Sequence, residues 1–275
     1  MAATKKSVKK NGNGNGNGNG NAVAVLDESM FEADAGLGLE NVTSEDLALP
    51  FLKVLSRQDP VLDDLDAKAG DLYNTVTSQV YSGKEGVLVI PCAFQKRFIQ
   101  WAPRGGGSGA PLGIFGPSET RPATERSNED NKDYVVGGTG DYIEQTAQHY
   151  VLLLSKEGTE RALVAMKSTQ LKKSRKWMSM ILSRQMQGKN GTPFTPPMFS
   201  HVYRLTTVSQ ENSKGSWHGW EVALEGKVQD INIYHAAKVF GESVDSGQVN
   251  VKHQQDAPTN AGLDDSTGLD DSIPF

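Results

Sequence analysis

Residues 148–186 decide the fold, and they read QHYVLLLSKEGTERALVAMKSTQLKKSRKWMSMILSRQM. Two short apolar runs, 148–154 and 160–166, flank a turn-forming Lys-Glu-Gly-Thr segment, which predicts a β-hairpin. Ser168 then offers a helix cap, and apolar residues from Leu171 to Met186 recur at helical spacing. The stretch therefore predicts two paired strands followed by one helix.

The flanking sequence adds strands on both sides of this unit. The apolar run 86–94 precedes it, and residues 199–208 and 217–228 follow it as two more predicted strands, with a second helix predicted from Ile231 to Phe240. This order predicts a mainly β protein, an OB-like five-stranded Greek-key barrel with a helix between strands 3 and 4 and long insertions. A β-sandwich with one helix is the alternative architecture.

Composition divides the chain into three parts. Residues 1–40 are predicted to be a disordered low-complexity leader, because Asn-Gly repeats from Asn11 to Asn21 cannot form a core. Residues 41–240 are predicted to be the OB-like domain, in which 103–147 is a flexible Gly-rich and Pro-rich insertion. Residues 241–275 are predicted to be a disordered acidic tail.

The charges are segregated along the chain. The formal net charge is −5, which alone would argue against binding a polyanion. Residues 27–71 carry twelve acidic and three basic side chains, and 241–275 carry seven acidic and one basic. Residues 162–210 contain eight Lys and Arg and no Asp or Glu. A basic middle between acidic flanks favours a nucleic-acid surface with a solvated or interacting tail.

Basic and aromatic residues lie side by side in several segments of the predicted barrel. A positive groove that follows phosphates, with rings on which bases stack, is the chemistry that holds single strands. The predicted DNA-binding residues are Lys96, Arg97, Phe98, Trp101, Lys167, Lys172, Lys173, Arg175, Lys176, Trp177, Tyr203, Arg204 and Trp217. Trp217 and Trp220 would face opposite sides of a strand, so one is expected in the core and the other is expected to be available for stacking.

Motifs of catalysis and metal binding are not found in the sequence. It has no P-loop and no nucleophile elbow, and Gly137-Gly-Thr-Gly140 lacks the strand-to-helix context of a dinucleotide site. The single Cys92 and the five histidines show no metal-ligand spacing. No apolar run reaches the roughly 18 residues of a membrane span. We therefore expect no enzyme activity, no cofactor, no metal and no membrane association.

The last six residues carry the most specific motif. The chain ends Asp270-Asp-Ser-Ile-Pro-Phe275, and Gly-Leu-Asp-Asp-Ser occurs twice, at 262–266 and 268–272. An acidic tail with an exposed terminal Phe can dock in an apolar pocket that has a basic rim. The predicted partner-binding residues are Asp270, Asp271, Ile273, Pro274 and Phe275.

This ending resembles the acidic tip of bacterial single-stranded DNA-binding proteins, which typically end Asp-Asp-Asp-Ile-Pro-Phe; here Ser272 replaces the third Asp. The whole chain is more similar to the single-stranded DNA-binding proteins of bacteriophages, which combine an OB fold having long insertions with an acidic, Phe-terminated tail. The stretch 196–207, followed by Trp217, resembles that group as well.

The resemblance implies a protein that coats single-stranded DNA in phage replication, recombination and repair, in the cytoplasm of an infected bacterial host. It also implies that the tip recruits replication and recombination proteins, such as a polymerase, helicase or nuclease. A homodimer is compatible with the sequence. Two alternatives remain, a strand-annealing recombination protein and a nuclease or nuclease regulator.

Overall fold

The structure is a computed structural model that describes residues 28–43, 46–103, 105–156, 158–212 and 215–255. The chain divides into two units, residues 1–42 and 43–275. In the first, the described residues form helix α1 (Glu28–Ala33) and the turns that follow it. All other elements belong to the second unit.

Among its described residues, the second unit contains three α-helices, α2 (Val61–Asp64), α3 (Leu171–Leu182) and α4 (Ile231–Asp245). Its strands are β1 (Leu52–Val54), β2 (Leu72–Asn74), β3 (Val80–Tyr81), β4 (Val87–Trp101), β5 (Gly113–Phe115), β6 (Thr124–Arg126), β7 (Asp133–Val135), β8 (Tyr142–Ser155), β9 (Gly158–Lys167), β10 (Met186–Gln187), β11 (Pro193–Phe194), β12 (His201–Asn212) and β13 (Gly215–Lys227). The predicted hairpin is β8 and β9, and the helix predicted after it is α3.

The long strands form one curled antiparallel half-barrel. Their order is β13-β12-β4-β8-β9, and every neighbouring pair is antiparallel. The prediction of a mainly β protein is confirmed. A closed five-stranded Greek-key barrel is not confirmed, because no pairing between β9 and β13 occurs among the described residues.

A small sheet of β1, β2 and β3 lies between β9, which is one edge of the half-barrel, and β12, the strand beside the other edge. Phe51, just before β1, forms a parallel bridge with Leu163 of β9. On the other side, the backbone N–H of Thr207 in β12 donates to the carbonyl of Gly83, 2.8 Å away. The N-terminal strands therefore connect β9 to β12 through backbone hydrogen bonds.

The half-barrel has apolar residues on both faces. Val89, Val151 and Val164 point inward, where α3 contributes Trp177 to the same cluster. On the outer face, Ile90, Leu152 and Leu163 are covered by α4. Because α3 and α4 cover opposite faces, the middle of β8 is a continuous apolar run rather than an alternating one.

Helix α4 is fixed at both ends and in the middle. The Asp230 carboxylate accepts hydrogen bonds from the backbone N–H groups of Asn232 and Ile233, which caps the N-terminus. A Cβ on Gly241 would lie 2.6 Å from the Cys92 carbonyl oxygen, so this glycine permits the close packing of α4 on β4. The helix continues to Asp245, so the predicted domain boundary at residue 240 falls inside it.

The chain turns back after α4 and crosses the outer face of the sheet. Gly247 adopts a positive φ of 75°, and the N–H of Gln248 donates to the Ser243 carbonyl, which together form a Schellman ending. Residues 247–255 then follow the outer face, and we call them the C-terminal strap. The range 103–147 holds β5, β6, β7 and the first residues of β8. No helix in the described ranges is long and apolar enough to cross a membrane.

Candidate nucleic-acid interface

Strand register defines which predicted site residues share a face. Lys96 on β4 is in register with Ala147 on β8, which in turn is in register with Met166 on β9. The neighbouring row, two residues away, contains Phe94 and His149, which belong to the inner side where α3 packs. Lys96 and Phe98 therefore lie on the same inner face of the sheet, beyond the part that α3 covers.

Phe98 carries a cation on its ring. The guanidinium carbon of Arg121 lies 3.5 Å from the centroid of the half-buried Phe98 ring. Arg121 Nη1 is buried and has no hydrogen-bond partner. The segment between β5 and β6 thus brings a cation to an aromatic residue that the sequence predicts as a DNA contact.

Helix α3 begins at the same end of the sheet. Leu171, its first residue, follows Lys167 by four residues, and Lys167 is in register with Thr146, which pairs with Arg97. The first turns of α3 carry Lys172 and Arg175, which are exposed. We define the cationic end of the sheet as Lys96, Phe98, Arg121, Lys172 and Arg175.

The cations at this end have no acidic partners among the described residues. Lys96, Lys172 and Arg175 form no ion pair within the part of the chain that the structure describes. An exposed cation that is not already paired can bind a phosphate without first breaking an internal interaction. These side chains are therefore the best-placed phosphate ligands among the predicted ones.

Four other predicted cations are already paired with acidic residues. Lys167 Nζ lies 3.1 Å from Glu144 of β8, and Arg204 pairs with Glu225 of β13. Lys173 and Lys176 both bind the Glu221 carboxylate, 2.5 and 2.8 Å away. Their hydrogen bonds hold the pKa of Glu221 below its usual value. Acids from other strands thus neutralise part of the basic segment.

Three predicted stacking residues lie in the core instead. Trp177 is 0% exposed, Tyr203 1% and Trp101 4%. Trp177 stacks on His149, and its ring meets Tyr203 edge to face at 5.8 Å. A base needs an exposed ring face, so the stacking role predicted for Trp101, Trp177 and Tyr203 is not consistent with this packing. These side chains are buried because it is favourable to remove the large apolar surface of an indole or phenol ring from water.

Tyr203 and Arg204 also lie away from the cationic end. They are in register with Val89 and Leu88, near the start of β4. Eight residues separate Leu88 from Lys96, roughly 25 Å along an extended strand. The structure therefore separates this pair from Lys96.

The two tryptophans of β13 differ in burial. Trp220 is 4% exposed and belongs to the inner core, whereas Trp217 is half-buried. Trp217 lies opposite Gln210, close to the turn of the β12–β13 hairpin. Of the two, Trp217 is the one with an accessible ring.

Arg97 faces away from Lys96, because neighbouring residues of a strand alternate. Its Nη2 donates to Gln95 Oε1 at 2.7 Å, and both residues line a cavity under the C-terminal strap on the outer face. The sequence groups Arg97 with Lys96 because they are adjacent in the chain, but the pleat places them on opposite sides of the sheet.

Sequence reasoning missed two side chains, one cationic and one aromatic. Arg121 lies in the long Gly-rich and Pro-rich segment, and only the pairing of β5 with β4 brings that segment near Phe98. Phe194 of β11 is 44% exposed in a short hairpin that also carries the exposed Lys189. The sequence pattern that could have indicated Phe194 is an aromatic residue close to a turn that contains a lysine.

Two further predictions concern the partner-binding tip and metal binding. The partner-binding tip, Asp270 to Phe275, lies outside the described residues. Within the described ranges, no group of three or more His, Cys, Asp or Glu side chains could hold a metal ion. Burial lowers the pKa of His149 to about 3, so this histidine is neutral in the core.

Together these features define a mainly β protein built on a curled antiparallel sheet with a cationic end. The sequence family described as Pam3 phage gp34-like protein matches residues 17–250. The chain belongs to this phage protein family. No curated protein matches the chain, and no solved structure matches it either.

Proposed function

We propose that the protein binds single-stranded DNA through the cationic end of the sheet and protects it during phage DNA replication, recombination and repair. The observation that carries this proposal is the group of exposed cations Lys96, Lys172 and Arg175, which form no ion pair among the described residues and lie at the same end of the sheet as the Phe98–Arg121 pair. The family membership supports a role in phage biology.

The strand order supports an OB-type scaffold for this function. The strands β4, β8, β9, β12 and β13, numbered 1 to 5 in chain order, lie in the order 5-4-1-2-3, with α3 between the third and fourth. OB folds bind oligonucleotides with such strands and their loops. We propose a variant in which the small sheet of β1 to β3 stands between the edges that a closed barrel would join.

Binding would combine phosphate charge with limited stacking. Phosphates would contact Lys96, Lys172 and Arg175, and a base would stack on the guanidinium plane of Arg121, which lies over the Phe98 ring. A stacked base contributes about 1–3 kcal/mol and is tolerant of sequence. The protein would therefore bind single strands with little sequence preference and a strong dependence on salt.

Partner recruitment belongs to the acidic tip in this proposal. Asp270 and Asp271 would steer the tip towards a basic rim, and Ile273, Pro274 and Phe275 would enter an apolar pocket on a replication or recombination protein. The proposed role of the protein is binding rather than catalysis, and the protein would act in the cytoplasm of the infected host.

A charge-matched pair of variants tests the cationic end. Lys96→Ala with Arg175→Ala removes two cations that form no ion pair among the described residues, whereas Lys84→Ala with Lys156→Ala removes two exposed cations near the start of β4, at the opposite end. Fluorescence anisotropy with a labelled oligothymidylate, across a salt series, should show affinity falling about tenfold or more for the first pair. Its salt slope should drop by about 1.4, since each phosphate contact contributes roughly 0.7 in single strands.

The control pair should change affinity much less. Equal weakening by both pairs would mean that the protein attracts DNA only through its overall charge. Unchanged affinity in the Lys96 and Arg175 variant, with an unchanged melting temperature, would exclude the cationic end as the binding surface.

A further inference from the structure

A polar cavity lies between the C-terminal strap and the outer face of the sheet. Its volume is about 650 Å³, within the size range of small-molecule sites. Strands β4 and β8 form the floor, with Gln95, Arg97, Gln148 and Tyr150, and strap residues 247–253 form the opposite wall. The cavity is on the face opposite to Lys96 and Phe98.

The floor is polar although it is buried. Gln148 is 1% exposed and Tyr150 3%. The Tyr150 hydroxyl lies 3.1 Å from Gln148 Oε1 and 3.2 Å from Gln95 Oε1. Under α4 the same outer face is apolar, with Ile90 and Leu152. Buried polar groups cost stability unless they are satisfied, and the three side chains of this floor satisfy one another by hydrogen bonds.

The described lining of the cavity is positively charged. Arg97 and Lys252 line it, and none of the described lining residues is Asp or Glu. His253 is uncharged at neutral pH, because burial and the positive charge of Arg97 lower its pKa to about 4. Two cations without an acidic partner in the lining favour an anionic ligand.

The strap is held in position at both ends. The Schellman ending of α4 fixes its start, and His253 Nε2 lies 2.9 Å from Gln148 Nε2. Beyond it, the Gln255 side chain donates to the Ala102 carbonyl and to the Tyr142 hydroxyl, each at 3.1 Å. The cavity therefore has two fixed walls, which lowers the entropic cost of binding a ligand.

We propose that this cavity binds one 5′-phosphorylated nucleotide, either free or at the end of a strand. Arg97 and Lys252 would bind the phosphate. The exposed side-chain amides of Gln248 and Asn250 on the strap present both donors and acceptors, which is the chemistry that pairs with base edges. This site goes beyond the proposed function, because it lies on the other face and would remain if the cationic end bound no DNA.

Isothermal titration calorimetry on the full chain tests the proposal directly. The ligands are the four deoxynucleoside 5′-monophosphates, a nucleoside and inorganic phosphate. At least one monophosphate should bind with a stoichiometry of one, about tenfold or more tighter than the nucleoside and than inorganic phosphate. Equal binding of inorganic phosphate and nucleotide would overturn the proposal, because the base would then not be recognised.

Short oligonucleotides with and without a 5′-phosphate distinguish the two possible ligands, a free nucleotide and the end of a strand. Preference for the phosphorylated oligonucleotide together with weak monophosphate binding would identify a strand end as the ligand. Equal binding of both oligonucleotides and no monophosphate binding at about 1 mM, the weak end of specific affinities, would overturn the site.

Variants separate the cavity from the cationic end. Lys252→Gln changes an exposed strap residue, so folding should be unaffected. Lys252→Gln and Arg97→Gln should each weaken nucleotide binding about tenfold. Lys84→Gln is the charge-matched control. Bound nucleotide should also slow tryptic cleavage after Lys252. Nucleotide affinity that is identical in Lys252→Gln, Arg97→Gln and Lys84→Gln would contradict the assignment, whatever the result with oligothymidylate.

Discussion

The indole ring of Trp177 lies nearly parallel to the imidazole ring of His149, with centroids 4.5 Å apart and planes inclined by 20°. Trp177 is fully buried, and the Ser174 hydroxyl lies 2.8 Å from His149 Nε2 on the same helix face. This packing joins α3 to β8. It explains why an aromatic residue within the most basic stretch of the chain belongs to the core rather than to the surface.

Replacing this ring should affect stability rather than binding. Trp177→Ala should lower the free energy of unfolding by about 3–5 kcal/mol, the usual cost of removing a buried tryptophan. Urea denaturation measures this loss, and the folded fraction should still bind oligothymidylate with nearly unchanged affinity. The half-buried Trp217→Ala serves as the comparison and should cost less. A loss of DNA affinity without a loss of stability would contradict the burial of Trp177.

Stability should fall with acidification through His149. Its pKa is about 3 in the folded protein and about 6.5 when unfolded, so the unfolded chain takes up the proton first as pH falls below 6.5. The free energy of unfolding should therefore decrease by about 2 kcal/mol between pH 7 and pH 5 from this residue alone. Urea denaturation at the two pH values measures the difference.

His149→Gln should reduce that pH dependence. His253, whose pKa is lowered to about 4, contributes in the same direction and remains in the variant. The comparison concerns the change between the two pH values, so an overall loss of stability in the variant does not affect it. An identical decrease in wild type and variant would show that His149 is protonated in the folded protein.

Glu221 should restrain DNA binding by neutralising the face of α3. Glu221→Gln removes the carboxylate that binds Lys173 and Lys176, and it should tighten oligothymidylate binding about threefold at low salt, with the gain fading as salt screens it. Glu225→Gln is the matched control on the same strand, since it releases Arg204 near the start of β4. A larger gain in the control would relocate the binding surface towards Arg204.

The acidic tail should compete with DNA for the cationic surface. Deleting residues 263–275 removes four Asp residues and the terminal Phe, so oligothymidylate binding should be preserved or tightened at fixed salt. Partner recruitment should be lost, which pull-down of a host polymerase, helicase or nuclease with the two forms would measure. Markedly weaker DNA binding by the truncated protein would contradict this role of the tail.

The sequence predicted the strands and the helix between them because their patterns are local. The apolar runs of β8 and β9 and the spacing of α3 are visible without any tertiary information. The bridge from Phe51 to Leu163 was not predictable, since it joins segments more than a hundred residues apart through backbone groups alone. That contact governs how the half-barrel is completed.

The candidate site was predicted less well than the fold, for two physical reasons. Trp177 shows that a helix can be basic on one face and aromatic on the buried one, so composition cannot separate contact from core. Glu221 shows that neutralising acids come from strands distant in sequence. Lys96 and Phe98 were predicted, whereas Arg121 required the pairing of β5 with β4.

The most direct measurement for the central claim compares single-stranded and double-stranded oligonucleotides of equal length by fluorescence anisotropy from about 0.05 M to about 0.5 M salt. Binding to single strands should be at least tenfold tighter at every salt concentration, since only an unpaired base can stack on the guanidinium plane of Arg121. Affinity should fall with salt for both. Equal affinity for the two forms, or no binding at the lowest salt, would contradict the proposal that this protein binds single-stranded DNA.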